Sequence, residues 1–206
     1  MSGVRAGGPS PLNCLITGVG GQGTVLLSRL IGEAAIAKGL DLRGSETIGM
    51  AQRGGSVVSH LRIGPGCFSP LIPPGKADLI IAFECAEALR VLPFLAPAGN
   101  MIALDRVLAA ASPPGAAHSA EGIVARLAEA LGGRLTVVSW EALLKRCGSP
   151  RVSNVALLGA AIGRGLLPFS LDEAAAVLKT RIPPQYLDMN LEALRNGLRE
   201  TARDIA

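Results

Sequence analysis

The chain has 206 residues, which is enough for one domain with a substantial core, or for one domain with appendages. Hydrophobic residues make up 49% and charged residues only 17%, so either an interface covers part of the surface or the fold is compact and rich in alanine and glycine. The net charge of +4 is compatible with anionic ligands, but the scattered arginines and an aromatic content of 3% argue against nucleic-acid binding.

The N-terminal residues and the cysteines bear on location. Residues 1–11 are predicted to form a flexible N-terminal lead, because they lack the apolar segment of a signal peptide. The longest apolar run of the C-terminal half, 155–162, is far too short to cross a membrane. Well-separated cysteines predict reduced, buried thiols in a cytoplasmic protein, and no iron–sulfur or structural zinc site. They are Cys14, Cys67, Cys85 and Cys147.

A strand, a glycine-rich turn and a helix open the folded part of the chain. Residues 12–17 are predicted to form a buried strand, and 24–38 a helix with apolar side chains at three- and four-residue spacing. Between them lies Gly18-Val19-Gly20-Gly21-Gln22-Gly23, called here the glycine loop. Glycines at this spacing allow a tight turn and the close approach of a phosphate to bare backbone. Gly39 is predicted to end the helix, and a second strand to follow over 40–43.

The glycine loop has two interpretations. It resembles the dinucleotide-binding turn, which makes Gly18, Gly20, Gly21, Gln22 and Gly23 candidate ligand-facing or partner-facing residues. Dinucleotide binding also needs an acidic residue at the end of the second strand. Asp41 stands at the start of that strand and Glu46 lies beyond its end, so the fingerprint is incomplete. The alternative is that the glycines only allow strand and helix to pack closely.

The next segment contains a second candidate site. Glycines and mixed polarity predict an irregular loop over 44–55, with Glu46 on it and with Gln52-Arg53-Gly54-Gly55, called here the arginine loop, at its end. A guanidinium, an amide and flexible backbone suit a carboxylate, a diphosphate or a coenzyme A phosphate. The alternative is a turn with a solvated arginine. Alternating polarity over 56–63 predicts a half-exposed strand, antiparallel and at an edge of the sheet.

The remaining elements define the fold class. Residues 78–83 are predicted to form a strand buried on both faces; we expect Glu84, which follows, to be a first-turn helix carboxylate rather than a ligand or base. His60 has no catalytic motif around it. Further helices are predicted over 84–92, 121–131, 140–146, 153–164, 171–179 and 187–205, and strands over 101–104 and 135–138. This alternation predicts an α/β fold: a three-layer α/β/α, Rossmann-like domain with a mostly parallel, mixed sheet.

Several segments together resemble one protein family. GVGGQGTVLLSRLIGEAA, RGSETIGMAQRGGSVVSHLRIG and ADLIIAFECAEALR resemble the gamma-type domain of 2-oxoacid:ferredoxin oxidoreductases. Asn154-Val155 and the Asn190 to Gly197 segment also fit, so the resemblance makes 12–206 a single pyruvate/ketoisovalerate oxidoreductase gamma-type domain. Within that family, SETIGMAQRGGSVVSH is most similar to the beta subunit of indolepyruvate ferredoxin oxidoreductase.

The resemblance implies an enzyme that is divided between this chain and a large partner subunit. The family oxidatively decarboxylates 2-oxoacids, here an aryl one such as indolepyruvate, with coenzyme A as co-substrate, to give acyl-CoA, carbon dioxide and reduced ferredoxin. It places thiamine diphosphate and the iron–sulfur clusters on a large partner subunit, leaving this chain without a cofactor of its own and with catalytic residues unknown. The glycine loop and Gln52, Arg53, Gly54 and Gly55 would then face that partner, and ferredoxin would be reached through the complex.

Two other functions, and one assembly state, stay open at this point. A stand-alone NAD(P)-binding Rossmann dehydrogenase would bind nicotinamide cofactor as the isolated chain. A purely structural assembly protein is suggested by the low charge content and by the amphipathic C-terminal helix. A homodimer of the isolated chain is also expected, because apolar surface meant for a partner often drives self-association.

Overall fold

The computed structural model describes residues 10–48, 55–108 and 119–202. Its strands are β1 (Leu12–Val19), β2 (Leu42–Ile48), β3 (Ser56–Ile63), β4 (Ala77–Ala82), β5 (Leu95–Leu104) and β6 (Leu135–Val138). Its α-helices are α1 (Thr24–Ala37), α2 (Cys85–Val91), α3 (Ala120–Leu131), α4 (Trp140–Cys147), α5 (Ser153–Gly163), α6 (Leu171–Arg181) and α7 (Pro184–Ala202). Most of the predicted N-terminal lead lies outside the described residues, as do residues 203–205 of the predicted last helix.

One six-stranded sheet, in the order β2-β3-β1-β4-β5-β6, organises the fold. β1, β4, β5 and β6 are parallel, and β3 runs antiparallel to both β1 and β2. The mostly parallel, mixed sheet of an α/β fold is therefore confirmed. No helix in the described ranges is both long and apolar enough to cross a bilayer.

Helices cover both faces of the sheet, as expected. β4 shows why: Leu79 and Ile81 pack on one face, against a core that includes α1, α5 and α7, while Ile80 packs on the other, against α2 and α3. All three side chains are fully buried. An unbroken apolar run is what a parallel strand covered on both faces requires.

The largest corrections concern β2 and β3. The predicted irregular loop over 44–55 is wrong for its first part, because β2 continues to Ile48 and includes Glu46. The predicted edge position of β3 is wrong for the same reason, since β2 pairs along its outer side. The residues of β3 are accordingly half-buried or buried on either face, and His60 is only 7% exposed.

Candidate functional site

The candidate site lies where β1 and β4 end side by side. From β1 the chain passes through α1 to β2 on one side of the sheet, whereas β4 is followed by β5 and β6 on the other. Open α/β sheets bind ligands at such a topological switch point, in the crevice beyond the carboxyl ends of the strands. The glycine loop leaves β1 there, with Gly21 and Gly23 at φ values of 94° and 92°, which only glycine adopts readily.

Gly55, the last residue of the arginine loop, meets the glycine loop at this edge. The N–H of Gly20 donates to the carbonyl oxygen of Gly55 over 2.9 Å, just beyond the last β1–β3 pair, Val19 with Ser56. Gln52, Arg53 and Gly54 lie outside the described residues. Ile48 ends β2 opposite Val57, so both ends of the intervening segment lie at the same end of the sheet as the glycine loop, with β3 between β2 and β1.

Gln22 ties the glycine loop to the end of β4. Its Oε1 accepts from the N–H of Val19 at 2.7 Å, and its Nε2 donates to Oε1 of Glu84 at 2.5 Å. The other carboxyl oxygen of Glu84 accepts from the N–H of Leu108 at 3.0 Å. Glu84 is the N-cap residue of α2 and is fully buried. We expected a first-turn helix carboxylate at this position. Instead, the side chain links three chain segments: the glycine loop, the start of α2 and the segment after β5.

Two acidic side chains lie beneath the meeting point of the loops. Burial raises the pKa of the Glu84 carboxyl, and the hydrogen bonds from Leu108 and Gln22 and the charge of Arg106 act against that rise. Glu87 is also buried; its Oε2 accepts from the hydroxyl of Ser56 at 2.5 Å, and its Oε1 lies 3.3 Å from Nε of Arg90. Glu84 thus binds the glycine loop through Gln22, and Glu87 binds the start of β3, next to Gly55.

Glu46, a predicted site residue, and His60, which was not expected to be catalytic, lie away from this meeting point. Glu46 lines a separate groove of about 400 Å³ between α1 and the β2–β3 pair, together with Arg29. His60 packs inside the fold: its Nδ1 accepts from the N–H of Ile72 at 3.2 Å, and its ring meets that of Phe94 edge-on. Burial lowers the pKa of His60, which favours the neutral imidazole. Its contacts are those of a packing residue, as the absence of a motif around it suggested.

The described cysteines do not fit a metal cluster. Across the three described ranges, no three His, Cys, Asp or Glu residues come close enough together to hold a metal ion. All four cysteines are free and buried. Burial raises the pKa of Cys14 to about 12 and that of Cys85 to about 11.

The sheet order disfavours a dinucleotide site. In a dinucleotide-binding fold the acidic residue that binds the ribose ends the strand next to β1. Here β3 occupies that place and runs the opposite way, which moves the end of β2 about 10 Å from β1 at the usual strand spacing. Asp41 lies just before the start of β2, whereas the glycine loop lies at the carboxyl end of β1, so the two are at opposite ends of the strands. The stand-alone dehydrogenase is therefore not favoured.

A pocket of about 310 Å³ opens beside the glycine loop, with Phe83 and Leu104 in its wall and Arg106 and Arg151 at its rim. Arg106 stacks over the ring of Trp140, 4.1 Å from its centroid. Sequence reasoning missed both arginines as site residues, because each lies in a different segment and neither belongs to a loop motif. The sequence contains an indication for Arg106 alone: this residue closely follows a strand, at the edge where such sheets bind ligands.

Comparisons with known proteins agree on one family. A sequence profile described as pyruvate ferredoxin/flavodoxin oxidoreductase matches residues 13–200. Indolepyruvate oxidoreductase subunit IorB of Pyrococcus horikoshii is 34% identical over 91% of this chain and 94% of its own length. The corresponding subunit of Archaeoglobus fulgidus is 36% identical over 90% and 93%.

Solved structures give the same fold. The gamma subunit of a keto/oxoacid ferredoxin oxidoreductase from Geobacter sulfurreducens matches with a TM-score of 0.67 and 20% identity, over 93% of this chain and 99% of its own. A 2-oxoglutarate:ferredoxin oxidoreductase chain from Magnetococcus marinus matches with a TM-score of 0.70 and 19% identity, over 95% of this chain and 32% of its own. The chain belongs to the pyruvate ferredoxin/flavodoxin oxidoreductase family.

Proposed function

We propose that the chain is the small subunit of an indolepyruvate ferredoxin oxidoreductase. With a large catalytic subunit it takes part in the oxidative decarboxylation of an aryl 2-oxoacid with coenzyme A, giving acyl-CoA, carbon dioxide and reduced ferredoxin. The observation that carries this is the similarity to IorB subunits at 33–36% identity along nearly the whole of both chains. Ferredoxin meets the assembled complex rather than this chain alone.

The redox chemistry is assigned to the partner. In this proposal, thiamine diphosphate and the iron–sulfur clusters are held by the large subunit. Support comes from the four cysteines, which lie scattered in the core as free thiols, and from the absence of a three-residue metal cluster among the described residues. Free thiols also support a reducing, cytoplasmic location.

The glycine loop and the arginine loop are assigned to the surface that faces the partner's active centre, where they contact coenzyme A or substrate. The hydrogen bond between Gly20 and Gly55 at the switch-point edge supports this, because it joins the glycine loop to the last residue of the arginine loop. Glu84 and Glu87 hold that surface in place through Gln22 and Ser56. In this proposal, these buried carboxylates act as positioning residues.

The isolated chain is also assigned an apolar contact surface. Phe68 is 98% exposed and Leu71 is 55% exposed, on the segment between β3 and β4. Removing such side chains from water is favourable, so they support self-association when the large subunit is missing.

Arg53→Ala in the assembled complex tests the role of the arginine loop. We expect the KM for coenzyme A or for the 2-oxoacid to rise on the order of 10- to 100-fold, since a charge-assisted hydrogen bond is lost. Steady-state kinetics with each substrate varied in turn measures this. Arg126→Ala, at an exposed position on α3, is the matched control and should leave both constants unchanged. Unchanged constants for Arg53→Ala would remove that side chain from the site.

A further inference from the structure

The outer side of β2 is an unpaired edge of the sheet. β2 is the last strand in the strand order, and within the described ranges no strand pairs with its outer side. The N–H of Gly64 donates to the carbonyl oxygen of Asp41, one step beyond the first β2–β3 pair, so every second residue from Asp41 onward turns its backbone groups toward β3. The alternate residues turn their N–H and C=O groups outward; they are Leu42, Gly44, Glu46 and Ile48.

β2 lacks several features that commonly protect an edge strand. Such strands are often very short, interrupted by proline, or twisted away by a bulge. β2 has seven residues without a proline, and it pairs with β3 in unbroken register. The carbonyl oxygen of Leu42 accepts from Nη1 of the exposed Arg43 at 2.9 Å, which shows that this oxygen is open on its outer side. The edge is therefore accessible to another strand.

A groove beside β2 contains unpaired charges of both signs. It has a volume of about 400 Å³ and lies between α1 and the β2–β3 pair, with Arg29 and Glu46 in its wall. Neither of these two side chains forms an ion pair with a described residue. Glu33 also lines the groove, but it is paired with Arg181. Gly44 contributes no side chain to the wall, so it leaves space for a side chain from another strand.

We propose that β2 pairs antiparallel with β2 of a second copy of this chain, around a two-fold axis at Ser45. In this register Gly44 lies opposite Glu46 of the copy, and Leu42 opposite Ile48, so that outward backbone groups meet outward backbone groups. Residues directly opposite each other have Cβ atoms about 5 Å apart. The Glu46 carboxylate of each copy thus lies over Gly44 of the other, beside Arg29.

The charges of β2 select this register from those that the backbone allows. An axis at Glu46 would place the two Glu46 carboxylates directly opposite each other, and an axis at Gly44 would bring the two Arg43 guanidinium groups into diagonal contact. The axis at Ser45 avoids both like-charge contacts and forms an Arg29–Glu46 pair on each side. Because a two-fold contact closes, the product is a dimer in which two six-stranded sheets become continuous.

This contact is distinct from the apolar surface of Phe68 and Leu71. Those side chains lie on the segment between β3 and β4 and associate by leaving water, whereas β2 uses backbone groups and charges. The proposal goes beyond the subunit role and does not rest on it, because it concerns two copies of this chain alone.

Sedimentation velocity of the full chain tests the contact, with Phe68→Ser present in every sample to weaken the apolar surface. The Phe68→Ser chain should be mainly dimeric at about 100 μM, a concentration at which a contact of micromolar Kd is nearly saturated. Arg29→Glu and Glu46→Lys should each raise the Kd of the dimer on the order of 10-fold or more, since each places like charges together on both sides of the axis. Arg126→Glu, on exposed α3, is the matched control and should leave the Kd unchanged.

Mixing the two single variants separates a contact between copies from one within a chain. A mixed dimer of Arg29→Glu and Glu46→Lys chains has an attractive pair on each side, so mixing should restore dimers at a concentration where neither variant dimerises alone. Circular dichroism verifies that each variant is folded. A monomeric Phe68→Ser chain, an unchanged Kd in both charge variants, or a mixture as monomeric as its components would overturn the proposal. None of these results bears on the activity of the reconstituted complex, so the subunit role stands or fails separately.

Discussion

Gly197→Ala is expected to destabilise the fold severely. Gly197 of α7 packs against α5 so closely that an added Cβ would lie 1.9 Å from the carbonyl oxygen of Ala156. Gly159 of α5 is in the same position against α7, with an added Cβ 2.0 Å from the carbonyl oxygen of Leu194. Because the obstructing atoms are backbone, they cannot rotate away, and the two helices must separate. The interface between them is part of the larger core, where Leu194 is 1% exposed.

The loss should be on the order of 4 kcal/mol or more in the free energy of unfolding, as for other severe core clashes. In a chain of this length that lowers the Tm by roughly 8–16 °C, measured by thermal unfolding of the full chain. Gly122→Ala is the matched control, because Gly122 lies on the exposed side of α3 and its added Cβ would approach nothing nearer than 3.5 Å. That variant should keep or slightly raise the Tm. A Gly197→Ala chain as stable as the control would contradict the close packing of α5 on α7.

Gln22→Glu is expected to destabilise the chain at neutral pH and to recover in acid. The new carboxylate would face Glu84 across the present 2.5 Å contact, where Gln22 now donates. Like charges at this distance raise the pKa of the pair further above that of an ordinary glutamate, in the direction in which burial already raises the pKa of Glu84. Stability relative to the unaltered chain is therefore lost as pH rises through the raised pKa, and regained below the ordinary glutamate pKa of 4.5.

We expect a loss on the order of 2–4 kcal/mol at neutral pH, measured by denaturant unfolding of variant and unaltered chain at each pH. Combining Gln22→Glu with Glu84→Gln should restore most of it. The swapped pair then has an amide donor at position 84 facing a carboxylate acceptor at position 22, and the amide oxygen at position 84 still accepts from the N–H of Leu108. A Gln22→Glu loss of the same size in acid and at neutral pH would show that the Gln22–Glu84 contact is not what ties the glycine loop to β4.

The sequence predicted the elements whose signals are local. The glycine loop correctly placed the start of α1 at Thr24, because the glycines end one apolar pattern and a helical spacing begins directly after them. The unbroken run before Phe83 correctly predicted a doubly covered strand. The end of β2 was missed because Gly44, Ser45 and Glu46 carry no alternation of polarity; pairing with β3 holds them extended. Because of that pairing, β2 rather than β3 is the edge strand of the sheet.

The parts of the site that depend on long-range contacts could not be predicted. Gln22 and Glu84 are 62 positions apart, and nothing in either segment indicates that an amide and a buried carboxyl group will meet. Asn154 and Arg106 line one pocket because the fold brings the start of α5 close to the end of β5. The family resemblance identified the two loops from the sequence alone. The side chains that support and surround these loops could be identified only from the fold.

Reconstitution with the large subunit tests most directly whether this chain is one part of a divided enzyme. The full chain and the large subunit are purified separately, mixed and assayed for 2-oxoacid-dependent and coenzyme A-dependent reduction of ferredoxin. We expect the two to co-elute, and the complete reaction to require both. Turnover of a 2-oxoacid by the small chain alone, or nicotinamide cofactor binding by it with no activity gained on mixing, would contradict the subunit role.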